Sequence, residues 1–183
     1  MLFSSLISLV ASFVLSVDAL ELARNPDAAL GCNINEVISC GKVGATWQAN
    51  LLGFPNAFLG MIAEVITIAV AGLGGVRFPR WFMTAAQVVY TVGLGFAYWL
   101  FYQSMFNINA LCPWCLLVTL STTLVFTSLT HINIRDANLY LPTRVNDALR
   151  SGLRMGIDLV VITLWLLFLV AAVVLKYGAA LWS

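Results

Sequence analysis

The residues with the most chemical potential are four cysteines in two pairs: Cys32 and Cys40, eight residues apart, and Cys112 and Cys115, which enclose Pro113-Trp114. An even number of thiols in an oxidising compartment permits fully paired states, and four cysteines allow three pairings. Either neighbours pair as Cys32–Cys40 with Cys112–Cys115, or the pairs cross through Cys40–Cys112 or Cys32–Cys112. The segment Cys112-Pro113-Trp114-Cys115 reads as the first turn of a helix, because proline suits that position and residues three apart share a helical face. Unpaired N–H groups and the helix dipole favour a thiolate there, and C-x-x-C thiols so placed have pKa values lowered from about 8.5 to as little as about 3.5. The thiolate is the form that attacks disulfides and electrophiles. Two other readings use the same residues. A four-thiolate zinc site has the right ligand count, but the Cys32 to Cys40 gap exceeds the usual spacing. Two static disulfides stapling a loop to a scaffold explain the even count but not a C-x-x-C at a helix start.

The elements that position these thiols are membrane helices. Of 183 residues, 61% are apolar and 9% charged, against roughly 45–50% and 25% in an average soluble domain. The net charge of +1 leaves no basic face for phosphates, so nucleic-acid binding is set aside. Taking roughly 20 apolar residues per crossing, the sequence predicts an all-α membrane protein with five spans. They run about Leu2 to Leu22, Asn56 to Val76, Trp81 to Phe106, Cys112 to His131 and Met155 to Leu181, in one domain over 1–183 with a cysteine loop over about 23–55. The first span lacks the basic start of a secretory signal, and its apolar stretch exceeds a signal core, so it is expected to be retained. The chain outside the spans is too short for a soluble catalytic domain, so any chemistry sits on the bundle or in its loops.

Orientation follows from the basic residues, which favour cytoplasmic loops. Arg77 and Arg80 follow the second span, and Arg135, Arg144, Arg150 and Arg154 follow the fourth, against Arg24, Lys42 and Lys176 on the other side. This predicts a cytoplasmic N-terminus and all four cysteines outside, at the edge of the hydrocarbon, where thiols meet lipid-soluble oxidants that soluble proteins cannot reach.

Three segments together, Cys32-Asn33-Ile34-Asn35-Glu36-Val37-Ile38-Ser39-Cys40, Asn56-Ala57-Phe58-Leu59-Gly60 and Cys112-Pro113-Trp114-Cys115, resemble the vitamin K epoxide reductase family in its bacterial form, from about Leu20 to the end of the fourth span. The resemblance implies a four-helix transmembrane bundle around a quinone (menaquinone or ubiquinone), often with a fifth helix, in a bacterial cell membrane. It also implies a function like that of the quinone-coupled enzyme DsbB in oxidative protein folding. Electrons then pass from a thioredoxin-like (DsbA-like) partner through the loop pair to the C-x-x-C pair and on to the quinone. Only a short tail follows the last span, so the partner is expected to be a separate protein with its own C-x-x-C. The vertebrate enzymes carry Tyr four residues beyond the second cysteine of the C-x-x-C; here the residue is Thr119, which points to a quinone rather than an epoxide.

The expected relay has Cys115, deeper in its span, attack the quinone or transfer charge to it, and Cys112 then displace the quinol by closing Cys112–Cys115. Cys40 attacks Cys112, and Cys32 resolves the crossed disulfide. Which loop cysteine meets the partner is left open. Asn56 is expected to donate to a quinone carbonyl, although an asparagine at a helix start is more often a cap. Phe58, Tyr98, Phe101 and Tyr102 are candidate walls of the ring pocket, or interfacial anchors. Trp47, Leu51 and Phe54 recur at helical spacing, giving either a short helix resting on the membrane over the pocket or a lead-in to the second span. Glu64 and Asp158 are costly inside apolar spans. Glu64 is expected to relay a proton, to be protonated or to pair between helices, Asp158 to reach solvent, and His131 to sit solvated or among headgroups at the far surface.

Overall fold

The computed structural model describes residues 1–28, 30–73 and 78–178. Among the described residues seven α-helices follow one another: α1 Leu2–Arg24, α2 Cys40–Gly44, α3 Ala57–Gly72, α4 Arg80–Gln103, α5 Pro113–Arg135, α6 Thr143–Arg154 and α7 Ile157–Tyr177. No strand forms among the described residues; the nearest thing is an isolated parallel bridge between Ile38 and Leu111. The fold is therefore the all-α membrane class that the composition predicts. Leu2–Arg24, Arg80–Ile108, Pro113–Arg135 and Ile157–Tyr177 are long and apolar enough to cross a membrane. The fifth, α3, has 16 residues, and the predicted span ends at Val76 and Leu181, like the basic Arg77, lie outside the described residues.

Helices α1, α3, α4 and α5 form the bundle, with α1 against α3 and α5, and α4 against α5; α7 packs on α5. Met83, Tyr90, Val125 and Leu129 form an apolar cluster between α4 and α5, whereas the face that α1 buries is polar and small. Ser5, Ser8, Ala11, Ser12 and Ser16 line the buried face of α1, while Phe3, Val10, Phe13 and Val17 are exposed. This inversion suits a chain in lipid, where tails are as apolar as leucine and helices associate through close contact of small residues. Gly60 of α3 meets α1 at such a contact, and a Cβ there would lie 2.7 Å from Ser12 Oγ. Asn133 of α5 donates to Met83 O and Gln87 Oε1 of α4, tying those helices at the end remote from the cysteines.

The connections depart from expectation in two places. The Trp47 to Phe54 segment makes only a 3-10 turn over Trp47–Asn50, and a helix through Phe54 is interrupted at Gly53, whose φ is +81. Its apolar side chains Trp47, Leu51, Leu52 and Phe54 are nevertheless exposed, and Trp47 packs on Trp99 of α4 with ring centroids 6.1 Å apart. The connection between α5 and α7, read as a basic loop, folds as the amphipathic α6, whose Arg150 donates to Ile134 O and Arg135 O and so satisfies open carbonyls at the end of α5. His131 and Asp158, expected to be solvated, are partly exposed and also pair with each other, Nδ1 to Oδ2, at 2.7 Å. The last turn of α5 and the first turn of α7 lie at the same end of an antiparallel pair, which brings the two groups together.

Candidate functional site

The cysteine site is assembled by backbone pairing between two distant segments. Leu111 N–H donates to Val37 O at 2.6 Å, and Ser39 N–H donates to Leu111 O at 3.0 Å. This register pairs Ile38 with Leu111, so that Cys40 follows two residues after the bridge on one segment and Cys112 one residue after it on the other. Asn35 organises the loop from within, its Oδ1 accepting from the N–H groups of Val37 and Ile38. Asn33 Oδ1 accepts from Ser39 Oγ and Gly41 N–H. Ser39 then caps α2 by accepting from Lys42 N–H, so Cys40 opens one helix while Cys112 caps another.

Cys32 and Cys40 form a disulfide; Cys112 and Cys115 are free thiols. Cys112 Sγ lies 3.4 Å from Cys40 Sγ, so the two pairs touch through one sulfur of each. Both are enclosed, each 2% exposed, among Leu30, Leu15, Leu22, Val43 and Trp114. A second anion-stabilising contact comes from the helix itself, since Cys115 N–H donates to Cys112 Sγ at 3.3 Å with Pro113 at the first position of α5. At this cap position, ahead of the spanning helix, the Cys115 side chain holds the Cys112 thiol below its ordinary value. Burial and, last in order, the Asp18 carboxylate oppose the shift, and the N–H groups of Cys115 and Trp114 assist it. The arrangement can exchange electrons between the loop pair and the helix pair by attack of one sulfur on another.

Asn56 stands at the N-cap of α3 but makes no side-chain cap. Its Nδ2 donates instead to Gln48 O at 2.6 Å, and its Oδ1 is buried without a partner, as is Gln48 Oε1. Unsatisfied buried acceptors are rare and call for a ligand, water or ion. An Asn56 amide with one Nδ2 hydrogen unused and a free oxygen fits a group that accepts as a carbonyl and donates as a hydroxyl, as a quinone and its quinol do. The aromatic candidates are spread out. Tyr98 OH contacts Thr123 Oγ1 of α5 at 2.9 Å and accepts from Trp165 Nε1 of α7 at 2.7 Å. Phe101 lines a small apolar groove between α4, α5 and α7 with Leu116, Thr119 and Val173. Tyr102 is exposed and stacks on Phe106, while Phe58 on α3 is half-buried.

Glu64 pairs between helices. It is 3% exposed, with Tyr90 OH 3.5 Å from its Oε2, and it lies beside Ser5 and Ser8 of α1. Ser8 is ten residues from Asp18, or about 15 Å along a helix, so Glu64 sits deep below the cysteines. Two residues that the sequence reading passed over belong to the site. Gln48 is buried against Asn56, and Asp18 of α1 places Oδ2 3.6 Å from Cys32 Sγ. Asp18 carried a signal, being an acid in an otherwise apolar span, whereas nothing in the local sequence marks Gln48.

A loop disulfide in contact with a C-x-x-C pair at the end of a membrane bundle is the apparatus of a membrane disulfide oxidoreductase. The sequence model of the vitamin K epoxide reductase family matches residues 1–130, and the chain belongs to that family. The match takes in α1 to α4 and most of α5, hence all four cysteines and Asn56, and leaves α6 and α7 beyond it. No curated protein matches the chain closely enough to name a relative. Enzymes of the family use quinones and act with thioredoxin-like partners.

Proposed function

We propose that this protein is a quinone-linked thiol oxidoreductase. It takes electrons from a separate thioredoxin-like protein outside the cytosol and passes them through Cys32 and Cys40, then Cys112 and Cys115, to a membrane quinone, menaquinone or ubiquinone. The observation that carries the reading is the 3.4 Å approach of Cys112 Sγ to Cys40 Sγ, which supports Cys40–Cys112 as the crossed disulfide.

In the resting arrangement the loop pair is oxidised and the helix pair reduced. A partner thiolate attacks Cys32, the less enclosed loop residue at 9% exposure against 2% for Cys40, and Cys40 is released facing Cys112; the partner's second thiol then attacks the mixed disulfide, so that the partner leaves as its own disulfide and Cys32 is freed as a thiol. As Cys112–Cys115 closes, the helix pair gives the quinone two electrons; the Cys115 thiol brings one proton, and the second, which the Cys112 thiolate lacks, comes from water at the mouth of the bundle. Glu64, deep below the cysteines, is assigned to helix packing. Cys40 thiolate then attacks Cys112, releasing Cys115, and Cys32 attacks Cys40, releasing Cys112 as the thiolate that the start of α5 favours. Asn56 holds the ring through its unused Nδ2 hydrogen, and its Oδ1 receives the hydroxyl of the product. Trp47, Leu51 and Phe54 rest against lipid at the mouth of the bundle and limit water near the thiols.

Trapping tests the relay. In Cys32→Ser the crossed disulfide cannot be resolved, so mixing the reduced variant with a soluble quinone yields a stable Cys40–Cys112 disulfide in peptide maps. A Cys40 that remains a free thiol while Cys112–Cys115 accumulates overturns the proposed transfer.

A further inference from the structure

Asp18 takes no part in the relay so far, yet it touches one of its sulfurs. Its Oδ2 lies 3.6 Å from Cys32 Sγ, and the carboxylate and the two loop sulfurs all lie within 4.8 Å of one another. A disulfide sulfur carries no proton, so the carboxylate makes no hydrogen bond to it. It faces the atom on which negative charge appears when the loop disulfide opens, and a like charge so close disfavours the thiolate. The other charged residues of the neighbouring segments, Glu21 and Arg24 on α1, Asp27 and Glu36 in the loop and Lys42 on α2, are exposed. From α5 the titratable groups at the site are Cys112 and Cys115.

We propose that Asp18 gives the relay its direction by making Cys32 a poor leaving group; the proposal rests on the relay described above. The step it opposes is back-transfer. Cys112 thiolate attacks Cys40, the Cys32–Cys40 bond breaks with its electron pair on Cys32, and the products are Cys40–Cys112 and Cys32 thiolate. Thiol–disulfide exchange slows as the pKa of the leaving thiol rises. In the productive direction the leaving group is Cys112, whose thiolate is stabilised by the Cys115 N–H and the start of α5. Asp18 also opposes charge on Cys112, but it touches only Cys32, and only Cys112 has the compensating N–H of Cys115; the net penalty falls on Cys32, so the site settles with the loop pair oxidised and the helix pair ready for the next quinone.

The test uses the full chain with the loop pair oxidised and the helix pair reduced, without quinone or partner. Opening is read as capture of Cys32 by a maleimide across pH 6 to 9, with peptide mapping of the disulfides. Asp18→Asn is expected to speed capture about tenfold, the effect of roughly one pKa unit on a leaving thiol, and to reveal the Cys40–Cys112 disulfide. Asp18→Glu, which keeps the charge, stays near the wild-type rate, and adding Cys112→Ser to Asp18→Asn returns capture to background. In the fully reduced wild type the alkylation midpoint of Cys32 lies above about 8.5, the value of an ordinary thiol. Equal capture in wild type and Asp18→Asn overturns the proposal, as does a wild-type midpoint at or below the ordinary value, which decides the matter even if Asp18→Asn does not fold. Failure of the relay itself has a different signature, because the wild type then leaves soluble quinone unreduced.

Discussion

At the scale of single residues, Cys112 is the pivot, since it touches Cys40, receives the Cys115 N–H and is shifted most by the Cys115 side chain. With the loop pair oxidised, its alkylation by iodoacetamide is expected to have a midpoint below about 8.5, and Cys115→Ala to move that midpoint upward. A midpoint unchanged in Cys115→Ala contradicts the assignment of Cys115 as the main cause. Asn56→Leu removes the donor and acceptor offered to the ring, each hydrogen bond being worth about 1 kcal/mol net. The Michaelis constant for quinone is expected to rise about fivefold to tenfold, measured by quinol formation. The cysteines and Asn56 were legible in the sequence because each sits in a short motif with its own local chemistry. Asp18 and Gln48 were not, because their importance comes only from the fold: Asp18 meets a sulfur 14 residues on, and Gln48 meets Asn56 across the turn at Gly53.

Among the elements, the decisive one is the least regular. The bridge between Ile38 and Leu111 is a single rung, yet it sets the sulfur contact, since shifting either strand by one residue turns its side chains to the other face. Its partners are more than 70 residues apart, and no periodicity in either segment announces the pairing. Four long apolar helices were legible because runs of about 20 apolar residues have few alternatives, while α6 was hidden by its charge, which made it read as a loop. Gly60 allows the closest approach of α1 and α3. Gly60→Val is expected to destabilise the protein by about 1–3 kcal/mol, the usual cost of overpacking, and Ser12→Gly to restore part of the loss by making room. Thermal unfolding of the single and double variants measures both; equal losses with and without Ser12→Gly contradict the contact.

Across the whole molecule, serines, threonines and a glutamate are buried alongside Val125 and Leu129, while many leucines, valines and phenylalanines face outward. The reason is the solvent: in lipid a polar group must find its partner within the bundle, and Tyr90 beside Thr67 and Glu64 shows how that is met. The polar interior could be anticipated only as scattered serines and threonines in apolar runs, since nothing in sequence says which faces meet. The proposed orientation puts all four cysteines outside. An impermeant maleimide on intact cells, after reduction, is expected to label Cys32, while a cysteine placed by Arg144→Cys in α6 is labelled only after permeabilisation. The reverse pattern contradicts the orientation.

The most direct measurement is anaerobic mixing of the fully reduced purified protein with a soluble quinone, counting quinol by absorbance while thiols are trapped. Four thiols hold two electron pairs, so the wild type is expected to reduce two quinones per chain and end fully disulfide-bonded, Cys32→Ala only one, and Cys112→Ala and Cys115→Ala none. A reduced, folded protein that leaves the quinone untouched contradicts the account.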